Sequence, residues 1–241
     1  MATTAPGTLE EAQVRAMFDR IAGLYDLMNS VMTAGLHHRW RQRAADLAEV
    51  PPDGRALDVA SGTGDLALEL AARMGPAGEV VGTDFSERML ELARAKAAAR
   101  AQVGASVRFE TANALELPYE GGSFDAATVG FGARNFADLG RGLEEMTRVV
   151  RHGGRVVVLE ITTPTRPPLS YFFELWFDRV VPRLGRLAGD PEAYSYLPRS
   201  VRRFPGPREL AEMMWRLGLR QVRYLLTAGG IIALHVGTVA R

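Results

Sequence analysis

The stretch LDVASGTGDLA, residues 57–67, sets two glycines one residue apart between a strand-like run and a helix-like run, with an acid on either side. Gly62 and Gly64 carry no Cβ, so the backbone there can turn sharply and pass close to a ligand. The first N–H groups of a following helix have no partners within that helix and are free to meet such a ligand. Asp84 stands twenty residues after Gly64, where a second strand-like run ends, and a carboxylate so placed can accept hydrogen bonds from ribose hydroxyls. Together these residues point to a nucleoside-bearing cofactor. On the glycines alone a nicotinamide cofactor stays open, because Gly62-x-Gly64-x-x-Ala67 satisfies the loose dinucleotide pattern.

Two further features bear on the choice of cofactor. Asp58 lies inside the first strand, beside the ligand, where a carboxylate repels a pyrophosphate but attracts a sulfonium and an amino group. After the third strand comes ETANALELPY, residues 110–119. Asn113 there can read ring nitrogens and small Ala114 leaves room for a ring, although an ordinary polar turn has the same composition.

The elements that must position these groups are read from periodicity. Residues 9–30 carry Val14, Met17, Phe18, Ile21, Leu24, Tyr25 and Met28 at three- and four-residue steps, which predicts one amphipathic helix. A second helix is expected over 37–49, ending at Pro51-Pro52. From Arg55 the rhythm changes. Strands are expected at Ala56–Ala60, Glu79–Thr83, Val107–Thr111, Phe124–Val129 and Arg155–Ile161. Helices alternate with them: Asp65–Met74, one capped by Ser86, and Leu139–Val150, which Gly153-Gly154 should close. Such alternation implies βαβ units and a parallel sheet with right-handed crossovers. Residues 163–205 then combine prolines, the aromatic run YFFELWF and several arginines, and are too long for a plain loop, so a helical insert is expected. Tyr171, Phe172, Leu175, Trp176, Val180 and Val181 should form its apolar face. A helix over Pro207–Leu217 follows, and strands Gln221–Leu226 and Ile231–Val239 flank Ala228-Gly229-Gly230 as an antiparallel hairpin.

Five parallel strands followed by an antiparallel hairpin resemble the class I S-adenosylmethionine-dependent methyltransferases. That resemblance implies an α/β, Rossmann-like, mostly parallel seven-stranded sheet with an antiparallel final strand. It further implies N-terminal helices (residues 1–50) and the insert acting as a lid on a methyltransferase unit (51–241), with S-adenosyl-L-methionine as cofactor. Asp58, Ala60, Gly62, Thr63, Gly64, Asp84, Phe85, Asn113, Ala114 and Gly130 are then the expected cofactor residues, the 110–119 loop lying along the adenine edge.

Composition bounds the rest. The 241 residues are 47% hydrophobic and 24% charged, enough for a sizeable core and against global disorder. Lys+Arg (29) nearly balance Asp+Glu (28), so overall charge gives no sign of nucleic-acid binding. There is no cysteine, which removes disulfides and thiolate catalysis. The N-terminal residues lack a signal-peptide pattern and no apolar stretch is long enough to span a bilayer, so a cytoplasmic protein is expected, with peripheral contact at the membrane's inner face left open. No metal is suggested, since His37, His38, His152 and His235 lack the spacing of a zinc motif.

A more specific resemblance follows from YDLMNSVMTAGLHHRW, residues 25–40. Tyr25, Asp26, Met28, Asn29, His37 and Trp40 stand at the spacing of the bacterial quinone C-methyltransferases of menaquinone and ubiquinone biosynthesis, with Thr33 where that family usually has Ser. RVVRHGGRVVVLEIT, residues 148–162, is similar to the family's second signature through Arg148, Gly153, Gly154 and Glu160, with Arg151 and His152 in place of Lys-Pro. GFGARN (130–135) and TAGGIIALHVG (227–237) also match, and VGFGARN and RRFPG are closer to the menaquinone-only branch. The resemblance implies methyl transfer to a ring carbon of demethylmenaquinol, with a ubiquinone-pathway benzoquinol, or both, as the alternative. It places Tyr25, Asp26, Asn29, His37, Arg134 and Asn135 at the acceptor, with Tyr25 on the ring, Arg134 on the phenolate or a water, and Asp26 or His37 as proton acceptor. Packing roles are the alternative for Tyr25, Asp26 and His37. Glu160 is a further candidate, or else the partner of an arginine of the insert. Arginines 183, 186, 199, 202, 203 and 208 could meet anionic lipid. Self-association stays open. Rival readings are a nicotinamide-dependent reductase and a non-catalytic nucleotide sensor.

Overall fold

Short β-branched runs and Ala/Leu-rich runs fold into β1 (Arg55–Val59), β2 (Glu79–Asp84), β3 (Ser106–Thr111), β4 (Phe124–Gly130), β5 (Val150–Ile161), β6 (Leu219–Thr227) and β7 (Ile232–Val239). The helices are α1 (Glu11–Thr33), α2 (Leu36–Ala48), α3 (Asp65–Ala71), α4 (Glu87–Ala99), α5 (Leu139–Val149), α6 (Leu169–Leu175), α7 (Pro191–Arg203) and α8 (Pro207–Arg216), with a π-helical turn at Trp176–Val180 prolonging α6. This computed structural model describes residues 11–33, 35–100, 104–181, 183 and 191–240. Arg186 and the start of the first helix at residues 9 and 10 lie outside the described residues, as do the side chains of Leu24 and Met28.

The strands form one sheet in the order β3-β2-β1-β4-β5-β7-β6. Pairs β1–β2, β2–β3, β1–β4 and β4–β5 are parallel, while β7 runs antiparallel to both β5 and β6. The final strand is therefore the one reversed strand, as the hairpin composition predicts. Side chains alternate across the sheet. Ala56, Val80, Ala126 and Val157 meet α2, α3 and α4 on one face, and Leu57, Val81, Ala127 and Val158 meet α5 and α8 on the other. A sheet covered on both faces needs apolar residues at consecutive positions, which is why its inner strands lack polar alternation.

The chain leaves β1 toward β2 and β3, then returns to β4 on β1's other side. The order reverses there, and at such a reversal a crevice opens beyond the carboxyl ends of the strands. Every segment containing an expected cofactor residue emerges at that edge. Helix α1 lies near it: Val14 and Met17 are buried with Val181 and Tyr196 of the insert in one apolar cluster.

Three local expectations need correction. Gly153-Gly154 do not close α5, which ends at Val149 with Val150 already extended. They belong to an irregularity in β5, where pairing with β4 passes from Phe124↔Val150 to Ala126↔Arg155. The apolar face of the insert is also not the expected one. Phe173, Phe177 and Val181, four residues apart, are buried, whereas Tyr171, Phe172 and Leu175 are exposed. Finally, α3 stops at Ala71, and i→i−3 bonds from Arg73 and Met74 carry the chain onward in a tighter turn.

A Cβ at Gly154 would lie 2.4 Å from the Asp125 carbonyl oxygen, a backbone atom that has little room to yield. Gly154→Ala should lower stability by about 1–3 kcal/mol, read as a shift in the urea midpoint. An unchanged midpoint would show that the β4–β5 irregularity relaxes freely.

Candidate active site

Two cavities meet at the carboxyl edge of the sheet. The first is lined by groups from four successive strand ends: Asp58 in β1 and Ala60 just after it, Gly62 and Thr63 in the turn, Asp84 ending β2 and Phe85 after it, Asn113 and Ala114 after β3, and Gly130 closing β4. Gly64, the remaining expected cofactor residue, does not line it. Its φ of 82° caps α3, and a Cβ there would stand 2.7 Å from Cζ of Phe109. The second glycine thus shapes the turn and its packing, while the first, at φ 55° with open space around it, faces the cavity.

Two buried carboxylates organise this cavity. Asp84 accepts the N–H groups of Gly62 and Ser86, each at 2.9 Å, which joins the end of β2 to the glycine turn. Asp58 accepts Oγ1 of Thr128 at 2.7 Å and Oγ of Ser61 at 2.8 Å. Burial pushes both carboxyls up to about 6, against the opposing pull of these hydrogen bonds. Asn113 spends its side-chain oxygen on the Leu115 N–H at 2.9 Å, so its amide NH₂ is what it can offer a ligand.

The second cavity, about 430 Å³, lies between α1, α2 and the insert. Met17, Ile21, Trp40, Phe173, Phe177 and Ile232 are among its apolar walls, and Tyr25, Asn29, His37, Arg134 and Tyr196 are polar groups on it. Phe18, Tyr25 and Phe131 line both cavities, so the two spaces adjoin at these rings.

Arg134 and Asn135, consecutive in a 3₁₀ turn after β4, divide between them: Arg134 faces the second cavity and Asn135 the first. Asn135 was expected beside the acceptor; the turn instead carries it to the cofactor side. Arg134 pairs with Glu160 at 2.8 Å and also donates to the Phe131 carbonyl. Burial works against the guanidinium's charge, but Glu160, Tyr25 and Tyr196 around it hold its pKa above the usual value. Glu160 therefore pairs with the arginine of the β4 turn.

Asp26 lines neither cavity. It accepts Oγ1 of Thr63 at 2.6 Å and Nζ of Lys96 at 2.7 Å, which fastens α1 to the glycine turn and to α4. Successive helical residues point about 100° apart around the axis, so Asp26 leaves the side that Tyr25 and Asn29 share, which is why adjacency in sequence misplaces it. His37 is on the second cavity, but both its nitrogens are engaged, Nε2 with Oγ of Ser30 at 3.1 Å and Nδ1 with Arg41. Burial, then the positive charge of Arg41, push it down to about 4, so it is neutral near pH 7. With Arg41 donating to Nδ1, the ring proton sits on Nε2 and no lone pair is left for a base. His37, His38 and Asp65 also have the spacing of a metal cluster, but the guanidinium of Arg41 reaches both His37 and Asp65 and supplies the positive charge there.

Two site residues were missed from sequence. Arg41, 5% exposed, lines the first cavity and lies over the Phe131 ring. Its i,i+4 spacing from His37 was the available signal. Tyr196 comes from the insert, where no periodicity marks it. His235 is a core residue, donating to or accepting from nothing in either cavity and bonded at 2.8 Å to the Pro207 carbonyl.

The first cavity fits a cofactor with a positive centre and sugar hydroxyls. Asp84 keeps unused acceptor capacity after its two amide bonds. Oδ1 of Asn135 is buried without a partner on the same wall. Among the described residues Arg41 is the one cation lining this cavity and is partly offset by Asp65, so the two carboxylates leave it suited to a sulfonium more than to a pyrophosphate.

Fold and cavity together define an S-adenosylmethionine-dependent methyltransferase. Solved structures agree on the fold: a [4+2]-cyclase, SpnF, superposes with a TM-score of 0.69 at 18% identity, covering 99% of each chain. A SAM-dependent methyltransferase from Thermotoga maritima gives 0.62 at 21% identity, covering 93% of this chain and 99% of its own. Residues 7–239 match the ubiE/COQ5 methyltransferase family. A demethylmenaquinone methyltransferase of Thermus thermophilus is 49% identical over 92% of this chain and 99% of its own length. A ubiquinone/menaquinone biosynthesis C-methyltransferase UbiE of Geobacter sp. is 42% identical over 94% of this chain and 96% of its own. The chain belongs to the ubiE/COQ5 methyltransferase family, and its cofactor is S-adenosyl-L-methionine.

Affinity for S-adenosylhomocysteine should depend on pH through the two carboxylates. Below about 6 they take up protons in the free protein and lose acceptor strength, so binding weakens as pH falls. Calorimetry should give roughly tenfold weaker binding at pH 5 than at pH 8 for one such linked group. Affinity that is flat across this range would mean neither carboxylate meets the ligand.

Proposed function

We propose that this enzyme transfers the methyl group of S-adenosylmethionine to a ring carbon of demethylmenaquinol, giving menaquinol. The observation that carries the reading is the pairing of a carboxylate-lined cavity with a larger apolar one, adjoining at Tyr25 and Phe131, with Arg134 on the apolar side. A prenylated aromatic is the kind of acceptor such a space suits, since each buried CH₂ contributes about 0.8 kcal/mol. Relatives at 49% and 48% identity carry the name demethylmenaquinone methyltransferase.

Asp84 holds the ribose hydroxyls while it braces Gly62; Asp58 favours the positive end of the cofactor; Asn113 and Ala114 border the adenine. When bound, the cofactor supplies an electrophilic methyl group on a sulfonium. A quinone ring is too electron-poor to take it, whereas the reduced ring, once a hydroxyl has lost its proton, pushes charge onto the neighbouring carbon. Arg134 favours that ionised form. It is too basic to remove the proton itself and acts as a fixed positive charge, held in place by Glu160. The phenolic proton leaves to water. After transfer, the proton on the methylated carbon moves to the oxygen and aromaticity returns. Tyr25 and Phe131 fix the ring against the cofactor so that carbon and methyl are aligned.

Helix α1 acts as the lid over both cavities, with Asp26 and Asp19 fastening it to the sheet's edge, and the insert closes the second cavity. Lipid contact is better supported by apolar residues than by the expected arginines. Arg208 pairs with Glu212, and Arg199, Arg202 and Arg203 each have partners. Val31, Leu36 and Phe172 are exposed and also line the acceptor cavity, with exposed Leu27, Tyr171 and Leu175 beside them on the same helices. The prenyl tail leaves through this rim toward a membrane surface. No helix among the described residues is long and apolar enough to cross a membrane.

Reduced demethylmenaquinone analogues should accept methyl groups, and a strain lacking the gene should accumulate demethylmenaquinone by mass spectrometry; normal menaquinone in that strain would overturn the assignment. Arg134→Lys keeps a charge against Glu160, so it should remain folded and bind cofactor within about threefold while turnover falls at least about a hundredfold. Asp84→Ala should do the opposite first, raising the cofactor Kd. Collapse of cofactor binding in Arg134→Lys would place that residue on the wrong cavity. Flotation with liposomes should carry the protein upward, and Phe172→Ser should weaken this; a protein that stays at the bottom of the gradient would deny the lipid contact.

A further inference from the structure

The second cavity holds a polar group besides Arg134 that comes from the insert. Tyr196 is 5% exposed and lines the cavity that Arg134 lines. It is carried by α7, which packs against α1 and against the Ala133–Asn135 turn. Its phenol therefore comes from the insert toward the same charged pair, and both Arg134 and Glu160 act on it electrostatically. Seven residues further along α7, two turns on and on the same face, Arg203 hydrogen-bonds its hydroxyl.

The direction of that last bond matters. A guanidinium has no acceptor, so Arg203 donates and the Tyr196 oxygen accepts. The phenolic O–H is then the donor that Tyr196 has to give, and a neighbour donating into its oxygen strengthens it. A buried O–H of this kind, in a cavity with otherwise mostly apolar walls, is suited to an anionic oxygen that arrives with the ligand. Burial also keeps the phenol protonated, above its ordinary range, so it stays a donor when the acceptor ionises.

We propose that Tyr196 is a catalytic residue: its hydroxyl donates a hydrogen bond to the ring oxygen of the aromatic acceptor that Arg134 also faces, and the two donors together stabilise the ionised quinol. This rests on the quinol reading above and deepens it. Arg134 supplies the fixed charge and Tyr196 the directed bond, so the oxygen is held from the sheet edge and from the insert at once. A lid residue is thereby part of the reaction: the quinol is fully activated when the insert is seated.

The test is Tyr196→Phe, which keeps the ring in its apolar cluster and removes the donor. The variant and the parent enzyme are assayed with S-adenosylmethionine and a reduced demethylmenaquinone analogue across pH 6 to 10, with S-adenosylhomocysteine affinity and melting temperature read alongside. Loss of one hydrogen bond to an ionised oxygen predicts a fall in kcat of about tenfold near neutral pH. The rising limb of the pH profile should move up by about one unit, with turnover recovering at alkaline pH where the quinol ionises unaided. Cofactor affinity and melting temperature should stay close to the parent's. Arg203→Gln should shift the profile in the same direction by less. A uniform loss at every pH, or a parent-like profile in Tyr196→Phe, would overturn the proposal. A parent enzyme that fails to methylate the analogue would instead overturn the quinol reading, so the two failures are distinguishable.

Discussion

The Asp84 carboxylate, accepting Gly62 and Ser86 N–H groups where β2 ends, is the interaction on which the site depends. One oxygen fixes the glycine turn and the other fixes the start of α4, whose first turn Ser86 also caps through the Met89 N–H. Desolvation opposes a charge at this depth, and its upward pKa shift is the sign of that opposition. Sheet packing holds the carboxylate there regardless, because β2 is buried on both faces and cannot turn its last residue outward. Together with Asp58 it gives the crevice a character hostile to phosphate and receptive to hydroxyls and a cation.

The same edge holds the covering helix. Ser86 Oγ donates to Asp19 at 2.5 Å, and Asp26 receives Lys96 and Thr63. Lys96 also reaches Asp65 at 2.6 Å, and Asp65 in turn faces Arg41 at 3.4 Å. Burial raises the Asp65 pKa, but Arg41 and Lys96 outweigh it and leave the carboxyl below its usual range. Helix α1, the glycine turn, α4 and α2 are therefore joined by one run of paired charges and not by apolar packing alone. Polar contacts of this kind can break and re-form at modest cost, whereas a greasy seal would not release easily. A helix that covers a cofactor cavity has to permit exchange, and its fastening suits that requirement.

Much of this was legible in sequence because it is local. The carboxyl ends of the strands, the glycine turn, the Ser86 cap and the reversed last strand each rest on residues a few positions apart and stand within a residue of where their spacing put them, whereas β5 starts at Val150 and not at Arg155. What was not legible is direction. Tyr25 and Asp26 are neighbours, and so are Arg134 and Asn135, yet each pair divides between different surroundings. Spacing gives a residue's order along a helix or turn; only the packed partners decide which side faces the ligand. Gly153-Gly154 failed for a related reason, since two glycines suit a helix end and a strand irregularity equally. Tyr196 and Arg41 were missed because long-range packing alone brings them to the site.

The division between Arg134 and Asn135 has a consequence for how the two cavities cooperate. The 3₁₀ turn is short, and the Phe136 N–H bonds back to the Ala133 carbonyl, so neither residue can shift without the other. Glu160 accepts the backbone N–H of Arg134 at 3.2 Å as well as its guanidinium, tying the turn to the end of β5. One short piece of backbone thus borders both cavities. Its charge is locked by a pair that is 8% and 1% exposed, where a lone arginine would be strongly disfavoured and a mobile one would lose its aim. The aim of that charge then depends on the sheet's edge, while the covering elements supply the apolar walls and the Tyr196 hydroxyl of the second cavity.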